Sequence, residues 1–419
     1  MDRREYLRHF AVLFSGTAAA QLANLASYPI LARLYSPSDF GVFAMFVAVS
    51  AIPSAIACAR FDLAVPTAPS AGRFAIMWLC IVIAAGMGVA SALVSAIYWY
   101  IAAPTGLSPS MPLLLGLCVS LTGFCAAASL YLMRHDRYRM NSASLLMRTG
   151  TAVLVQIGLA FIWRDPLSLI VGFTAGLAAQ ALLLAWTIHM HEPIGRARRS
   201  QMRALFRRYR RQVTVDIPST VIAALSANLL TFIILILYGE HVLGFYSLGQ
   251  RIAIMPLQLF NDALSQVFFQ KAARSQERVG HFWNEMKFNL LVSGLLSLGV
   301  LFGIWIFARP FIVIYLGRDW EPAADILLIL APMLAVRSLC MSVASAVFVL
   351  KRAHWLFAHN VANAAALGAA FLTASILDLD LHPFLWVTVA MLMFEYGLFA
   401  LALAWKSHSD ARTAAQAHP

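Results

Sequence analysis

The chain is poor in charge. Only 12% of its 419 residues are Asp, Glu, Lys or Arg and 61% are hydrophobic, far from the roughly one-quarter charged, half-apolar balance of soluble domains. That excludes folding as a water-soluble globule, and no polar block is long enough to form a separate soluble domain. Cysteine is scarce and placed wrongly for cross-links. Cys58, Cys80, Cys118, Cys125 and Cys340 all fall inside apolar stretches and read as small buried side chains. Cys118 and Cys125 share a helix face, yet no His or carboxylate stands beside them, so no metal site is expected. No glycine-rich phosphate loop occurs, which leaves nucleotide-driven chemistry unsupported and no cofactor expected. No cleavable leader is expected either, because the apolar run from His9 is too long for one.

What the chain has in abundance is long apolar runs. Spans are expected near 9–33, 38–61, 74–101, 112–133, 141–163, 166–189, 213–238, 242–269, 284–307, 323–350, 354–377 and 382–405. Each can cross a hydrocarbon core of about 30 Å as a helix, and helices are the only open-chain solution there because every backbone polar group must be paired internally. The expectation is an all-α membrane protein of about twelve transmembrane helices. Its connections alternate sharply in charge. The side shared with the N-terminus carries 23 of the 31 Lys and Arg, including Arg60, Arg134, Arg137, Lys351 and eight arginines between Arg196 and Arg211. The opposite side keeps four: Arg33, Arg164, Arg309 and Arg318. Such a bias places the basic side and both termini in the cytoplasm. The net charge of +12 is thereby explained as topology, and no nucleic-acid partner is expected.

A shift of 203 residues lays LYSPSDFGVF (34–43) on LYGEHVLGFY (237–246), matching Leu34, Tyr35, Gly41 and Pro53 to Leu237, Tyr238, Gly244 and Pro256. Eight identities in 37 aligned positions fall on a span, a tight turn and a proline in the next span, which argues for an internal repeat. A repeat of six spans returns the chain to the same side, so the halves are parallel repeats about an axis along the membrane normal, enclosing a cleft where they meet. The expected organisation is a six-helix bundle over 1–190, a basic amphipathic linker over 191–212, a second six-helix bundle over 213–406 and a tail over 407–419.

Ionisable groups inside spans are costly, about 2.5–3.5 kcal/mol each even on lenient insertion scales, and normally face a wet or protein interior. Arg148, Arg251, Arg337 and Lys287 oppose only Asp262 and Glu395. This excess of cation points to an anionic ligand held by Arg148, Arg251 and Arg337, with Asp262, Glu395 and Lys287 serving coupling or structural pairing. Arg60 and Asp62, in RFDLAVP, read as a gate or substrate contact or as an interfacial ion pair. Gln21, Asn24 and Asn228 put amides into spans, where most such groups only bridge helices, and Asn24 is a candidate substrate contact. Pro53 and Pro256 are candidate hinges, since each removes a backbone hydrogen bond from its helix. Along 196–210, Arg196, Arg199, Arg203, Arg207 and Arg210 form one stripe, while Met202, Leu205, Phe206 and Tyr209 form another. This pattern suits an anionic lipid surface.

The runs YPILARLYSPSDFGVFAMF (28–46), RFDLAVP (60–66) and IYLGRDWEPAADILLILAP (314–332) resemble the polysaccharide transporters, or O-antigen flippases, of the multidrug/oligosaccharidyl-lipid/polysaccharide exporter superfamily. Phe61 and Asp62 stand where that family's pattern has an aromatic-acidic step. The resemblance implies two six-helix bundles with a cationic cavity that moves an undecaprenyl-diphosphate-linked oligosaccharide from the inner to the outer leaflet of the bacterial inner membrane. It also implies polysaccharide polymerase and glycosyltransferases as working partners in lipopolysaccharide biosynthesis, and no enzymatic activity. A drug/cation antiporter of the same superfamily is the alternative and should favour carboxylates in its cavity. A membrane polymerase or ligase is disfavoured because the longest external connection, 308–322, is short; a non-catalytic scaffold is weaker still. Cysteine labelling in intact cells checks the topology: positions 137 and 200 should be protected and positions 108 and 380 reactive, and external labelling at 200 would refute the layout.

Overall fold

The computed structural model describes residues 3–66, 68, 73–102, 108–191 and 199–417, and every regular element among these is helical. The chain divides into two compact units, Met1–Asn228 and Leu229–Pro419. In the first, α1 (Arg3–Leu34), α2 (Pro37–Ala55), α3 (Arg73–Ala102), α4 (Met111–Arg134), α5 (Tyr138–Ile162) and α6 (Pro166–His191) precede the opening of α7 (Arg199–Val279). The second holds the rest of α7, α8 (Trp283–Tyr315), α9 (Glu321–Val343), the single turn α10 (Ala346–Val349), α11 (His354–Leu377) and α12 (Leu381–Ala417). Helix α6 packs on α4 and α5, and α9 packs on α8 and α12; these two are the most enclosed apolar helices of their units. The architecture is that of an all-α, multi-pass membrane protein built as two helical bundles.

An 81-residue helix could not cross a membrane once, and α7 does not try to: Gly239, at φ 79° and ψ −179°, breaks it. That backbone region is closed to side-chain-bearing residues, so only glycine turns the chain there without strain. The residue 203 positions earlier, Ser36, separates α1 from α2 by different chemistry. Its hydroxyl accepts the Asp39 amide while the Asp39 carboxylate accepts the Ser36 amide, and Pro37 opens the helix. Beside each turn stands a repeat-related tyrosine whose hydroxyl donates to a distant carbonyl of its own unit: Tyr35 to Gln156 at 2.7 Å and Tyr238 to Leu379 at 2.8 Å. The repeat read from sequence is therefore matched by turns at equivalent positions, differently built, and by equivalent anchors.

Several expected spans have other bounds. Span two was expected to run to residue 61, but α2 stops at Ala55, two residues beyond Pro53. The chain then turns through Ala59 and Arg60, both with positive φ, into a short 3-10 turn over Phe61–Ala64. Spans seven and eight are one continuous run interrupted at Gly239, span ten ends at Val343 before α10, and span twelve continues as helix to Ala417.

Candidate functional site

A polar stripe on α7 and a mixed one on α9 build a cavity in the second unit. Gln258, Asn261, Asp262 and Ser265 recur on α7 at spacings of three and four, and Leu334, Arg337, Ser338 and Met341 do the same on α9. Residues so spaced share one helix face, and the two faces line a cavity of about 280 Å³. The Ser338 hydroxyl donates to the Asn261 side-chain oxygen at 2.9 Å, tying the stripes together. Arg337 and Asp262 both line the cavity, yet no ion pair joins them, and the Arg337 guanidinium has no hydrogen-bond acceptor among the described residues. A half-buried arginine with open donors, surrounded by amides and hydroxyls, is suited to an anion with polar neighbours. Pro256 sits exposed just before this stripe, in helical backbone. Arg251 lies on the same face of α7 two turns before Gln258, half-buried and engaged in contacts of its own.

In the first unit the half-buried cation is handled differently. Arg148 of α5 places its guanidinium over the Phe173 ring of α6, 5.4 Å from the centroid, and Phe43 of α2 meets that ring edge-on at 5.8 Å. No carboxylate pairs with Arg148 among the described residues; Cys118 and Cys125 are the groups within its electrostatic reach. The packing depends on Gly176, where a Cβ would come within 2.4 Å of the Arg148 carbonyl oxygen. Asn24 is half-buried on α1, its carbonyl accepting the Ser27 hydroxyl at 2.7 Å.

The RFDLAVP turn is a packing element. Phe61 is fully buried and stacks on Phe206 at 5.4 Å, and Met202, Leu205 and Tyr209 of the linker helix pack against the same core. The apolar stripe expected to meet lipid thus covers protein, while Arg203, Arg207 and Arg210 stay exposed. The linker residues 192–198, with Arg196, lie outside the described residues. Arg60 caps the 3-10 turn with its Nε buried and unpartnered, and Asp62 is half-buried beside it; no ion pair joins the two. Lys287 is exposed, its ammonium 5.7 Å from the Trp283 ring centre. Asn228 turns its amide back to the Ala224 carbonyl of its own helix instead of bridging helices.

Glu395 is paired with His359, not with an arginine. The His359 Nδ1 to Glu395 Oε1 distance is 2.6 Å, both side chains are more than nine-tenths buried, and Phe399 stacks on the imidazole at 4.4 Å. Sequence reading missed His359, although an ionisable residue inside a span was itself a signal. It also missed Gln258, Asn261, Ser265 and Ser338, which the helical spacing of polar residues within spans eight and ten could have revealed.

The two all-helical bundles first define a fold class. The chain superposes on an inward-facing multidrug resistance MATE family transporter of the MOP superfamily with a TM-score of 0.72, at 12% identity over 94% of this chain and 96% of that one. The inward closed lipid II flippase MurJ gives the same TM-score at 13% identity, covering 94% of this chain and 87% of its own. A MOP superfamily transporter from Pyrococcus furiosus, described as having a binding pocket of reverse polarity, gives 0.63 at 13% identity over 97% and 96%. The family profile described as polysaccharide biosynthesis protein matches residues 30–325, and the chain belongs to that family. The lipopolysaccharide biosynthesis protein WzxC of Escherichia coli K12 is 24% identical over 142 residues, a match spanning 34% of this chain and 29% of that relative.

A double-mutant cycle tests how Arg148 is held. Phe173→Leu and Arg148→Gln, alone and together, should show a coupling of about 0.5–2 kcal/mol in detergent unfolding measurements, the range of a desolvated cation–π contact. Additive effects would mean that the ring merely fills space.

Proposed function

We propose that this protein is a flippase, not an enzyme, that carries an undecaprenyl-diphosphate-linked oligosaccharide from the inner to the outer leaflet of the bacterial inner membrane by alternating access. The observation that carries this reading is Arg337, an arginine with open donors inside a membrane bundle, set among Gln258, Asn261 and Ser338. A guanidinium pairs with phosphate oxygens in two parallel hydrogen bonds and keeps its charge when buried. Amides and hydroxyls suit sugar hydroxyls, and a prenyl chain needs only lipid. Membership of the polysaccharide biosynthesis family supports the same substrate class.

On this reading Arg337 binds the diphosphate, Arg148 and Arg251 offer further cationic contacts along its path, and Arg60 and Asn24 act as polar contacts. Pro53 and Pro256 serve as hinges, and Lys287, Asp62 and Asp262 as structural or coupling charges. Both termini lie in the cytoplasm, where Arg203, Arg207 and Arg210 face anionic inner-leaflet lipids and glycosyltransferases supply the substrate; a polymerase consumes it outside. An inside-negative potential favours outward movement of the anion by about 2.3 kcal/mol per charge at 100 mV, so a divalent headgroup can be exported without ATP. One observation favours the antiporter alternative: Asp262 lines the same cavity and is exposed.

Export in a strain lacking its own flippase separates the readings. Arg337→Ala should abolish surface polysaccharide with the protein still inserted, Arg337→Lys should retain part of it, and Asp262→Asn should leave it largely intact. Full export with Arg337→Ala, or drug resistance lost with Asp262→Asn, would favour the antiporter.

A further inference from the structure

Apart from the Arg337 cavity, the second unit carries a basin of about 730 Å³ where the end of α7, the turn after α10 and the far part of α12 meet. Its cations are Lys351 and Arg352 from the turn and Lys406 from α12; its carboxylates are Glu277 and Asp410. The Arg352 amide donates to the Val347 carbonyl at 2.8 Å and the Lys351 amide to the Phe348 carbonyl at 3.1 Å, the paired closure that ends a helix. Lys351 takes the left-handed position of that closure, at φ 55°, where glycine would sit without strain. The basin's charges are unevenly matched. Lys406 donates to Asp410 at 2.6 Å, and the Arg352 guanidinium lies over the Trp355 ring, 5.0 Å from its centre. Neither Lys351 nor Glu277 has a side-chain partner among the described residues, and the Arg352 guanidinium has no acceptor there. Gln276 donates to the Gly280 carbonyl at 3.0 Å, while its Oε1 is buried and unpaired. Phe269 and Phe348, both exposed, add apolar wall.

We propose that this basin is a phospholipid site that holds the headgroup of phosphatidylglycerol, a phosphodiester with one negative charge and two free hydroxyls. Basic pockets at the membrane ends of helices suit lipid phosphates. Here Arg352 offers a planar fork to two phosphate oxygens, and Lys351 adds a compact charge beside it. Glu277 and the Gln276 Oε1 are open acceptors, which a headgroup bearing hydroxyl donors satisfies and a bare phosphate does not. Phe269 and Phe348 give the start of the acyl chains an apolar surface. Net charge selects among membrane lipids. Lys406 and Asp410 cancel, so Lys351 and Arg352 against Glu277 leave one positive charge. One phosphodiester matches it; phosphatidylethanolamine brings no net charge and cardiolipin brings two negative ones. The site lies in the second unit, whereas the linker arginines Arg203, Arg207 and Arg210 belong to the first, and it does not depend on what the Arg337 cavity carries.

Native mass spectrometry of the full chain, released from nanodiscs of phosphatidylethanolamine, phosphatidylglycerol and cardiolipin in equal amounts, tests this. Wild type should keep one phosphatidylglycerol in preference to the other two. K351Q/R352Q should lose it, its affinity in lipid titration falling roughly fivefold per charge removed. R164Q/R318Q, which removes two exposed arginines elsewhere, should keep it. E277Q should bind it as well or better, because glutamine still accepts a hydroxyl and no longer repels the phosphate. A fall with E277Q would mean an ammonium headgroup and overturn the choice of lipid. Retention at the wild-type level by K351Q/R352Q overturns the site. Should that variant fail to insert, a wild type that keeps no lipid, or keeps either of the other two as readily, overturns the proposal by itself. Displacement of the bound lipid by millimolar glycerol phosphate would make the basin a site for soluble phosphates, and the proposal would fall with it.

Discussion

Charge inside a helical bundle of membrane thickness must be matched or put to use, and that constraint organises both units. Arg148 is matched by the face of Phe173 in a packed interior that glycine at 176 makes possible. Glu395 is matched by His359 at 2.6 Å. Arg337 alone of the three stands in a cavity with its donors open among the described residues. The difference follows from neighbours: aromatic and small residues around Arg148, a titratable partner for Glu395, amides and hydroxyls around Arg337. The proposed anion binding rests on this one cation left open at such cost.

The repeat shows how the same architecture is reached by unlike local chemistry. At the first turn a serine, a proline and an aspartate cap a new helix; 203 residues on, a glycine with positive φ breaks a continuous one. The tyrosines beside them each reach a carbonyl of their own unit, so the anchor is retained while the turn is not. Pro53 and Pro256 diverge in the same way. The helix ends two residues after the first and runs on past the second to Val279.

Span positions, helical class and repeat were legible because hydropathy and backbone satisfaction in lipid leave few alternatives. Where α2 stops was not, since the 3-10 turn depends on Phe61 finding Phe206, some 145 residues away. For the same reason the linker's apolar stripe was assigned to lipid: sequence shows that a face is apolar, not what covers it. Arg337 and Asp262, read from sequence as groups inside spans, both line one cavity. Their polar neighbours were overlooked because single serines and amides in spans usually only bridge helices. The His359–Glu395 pair was hidden because its partners lie 36 residues apart on separate helices, a contact that only tertiary packing creates.

The central claim is that the open guanidinium of Arg337 carries a lipid-linked diphosphate across the bilayer. Its most direct test is transbilayer movement of an undecaprenyl-diphosphate-linked oligosaccharide in proteoliposomes, read by the sugar's accessibility to an external glycosidase under an imposed potential. The account predicts movement by the wild-type chain that quickens with the potential and falls to the protein-free rate with Arg337→Ala; equal movement by the two proteins would contradict it.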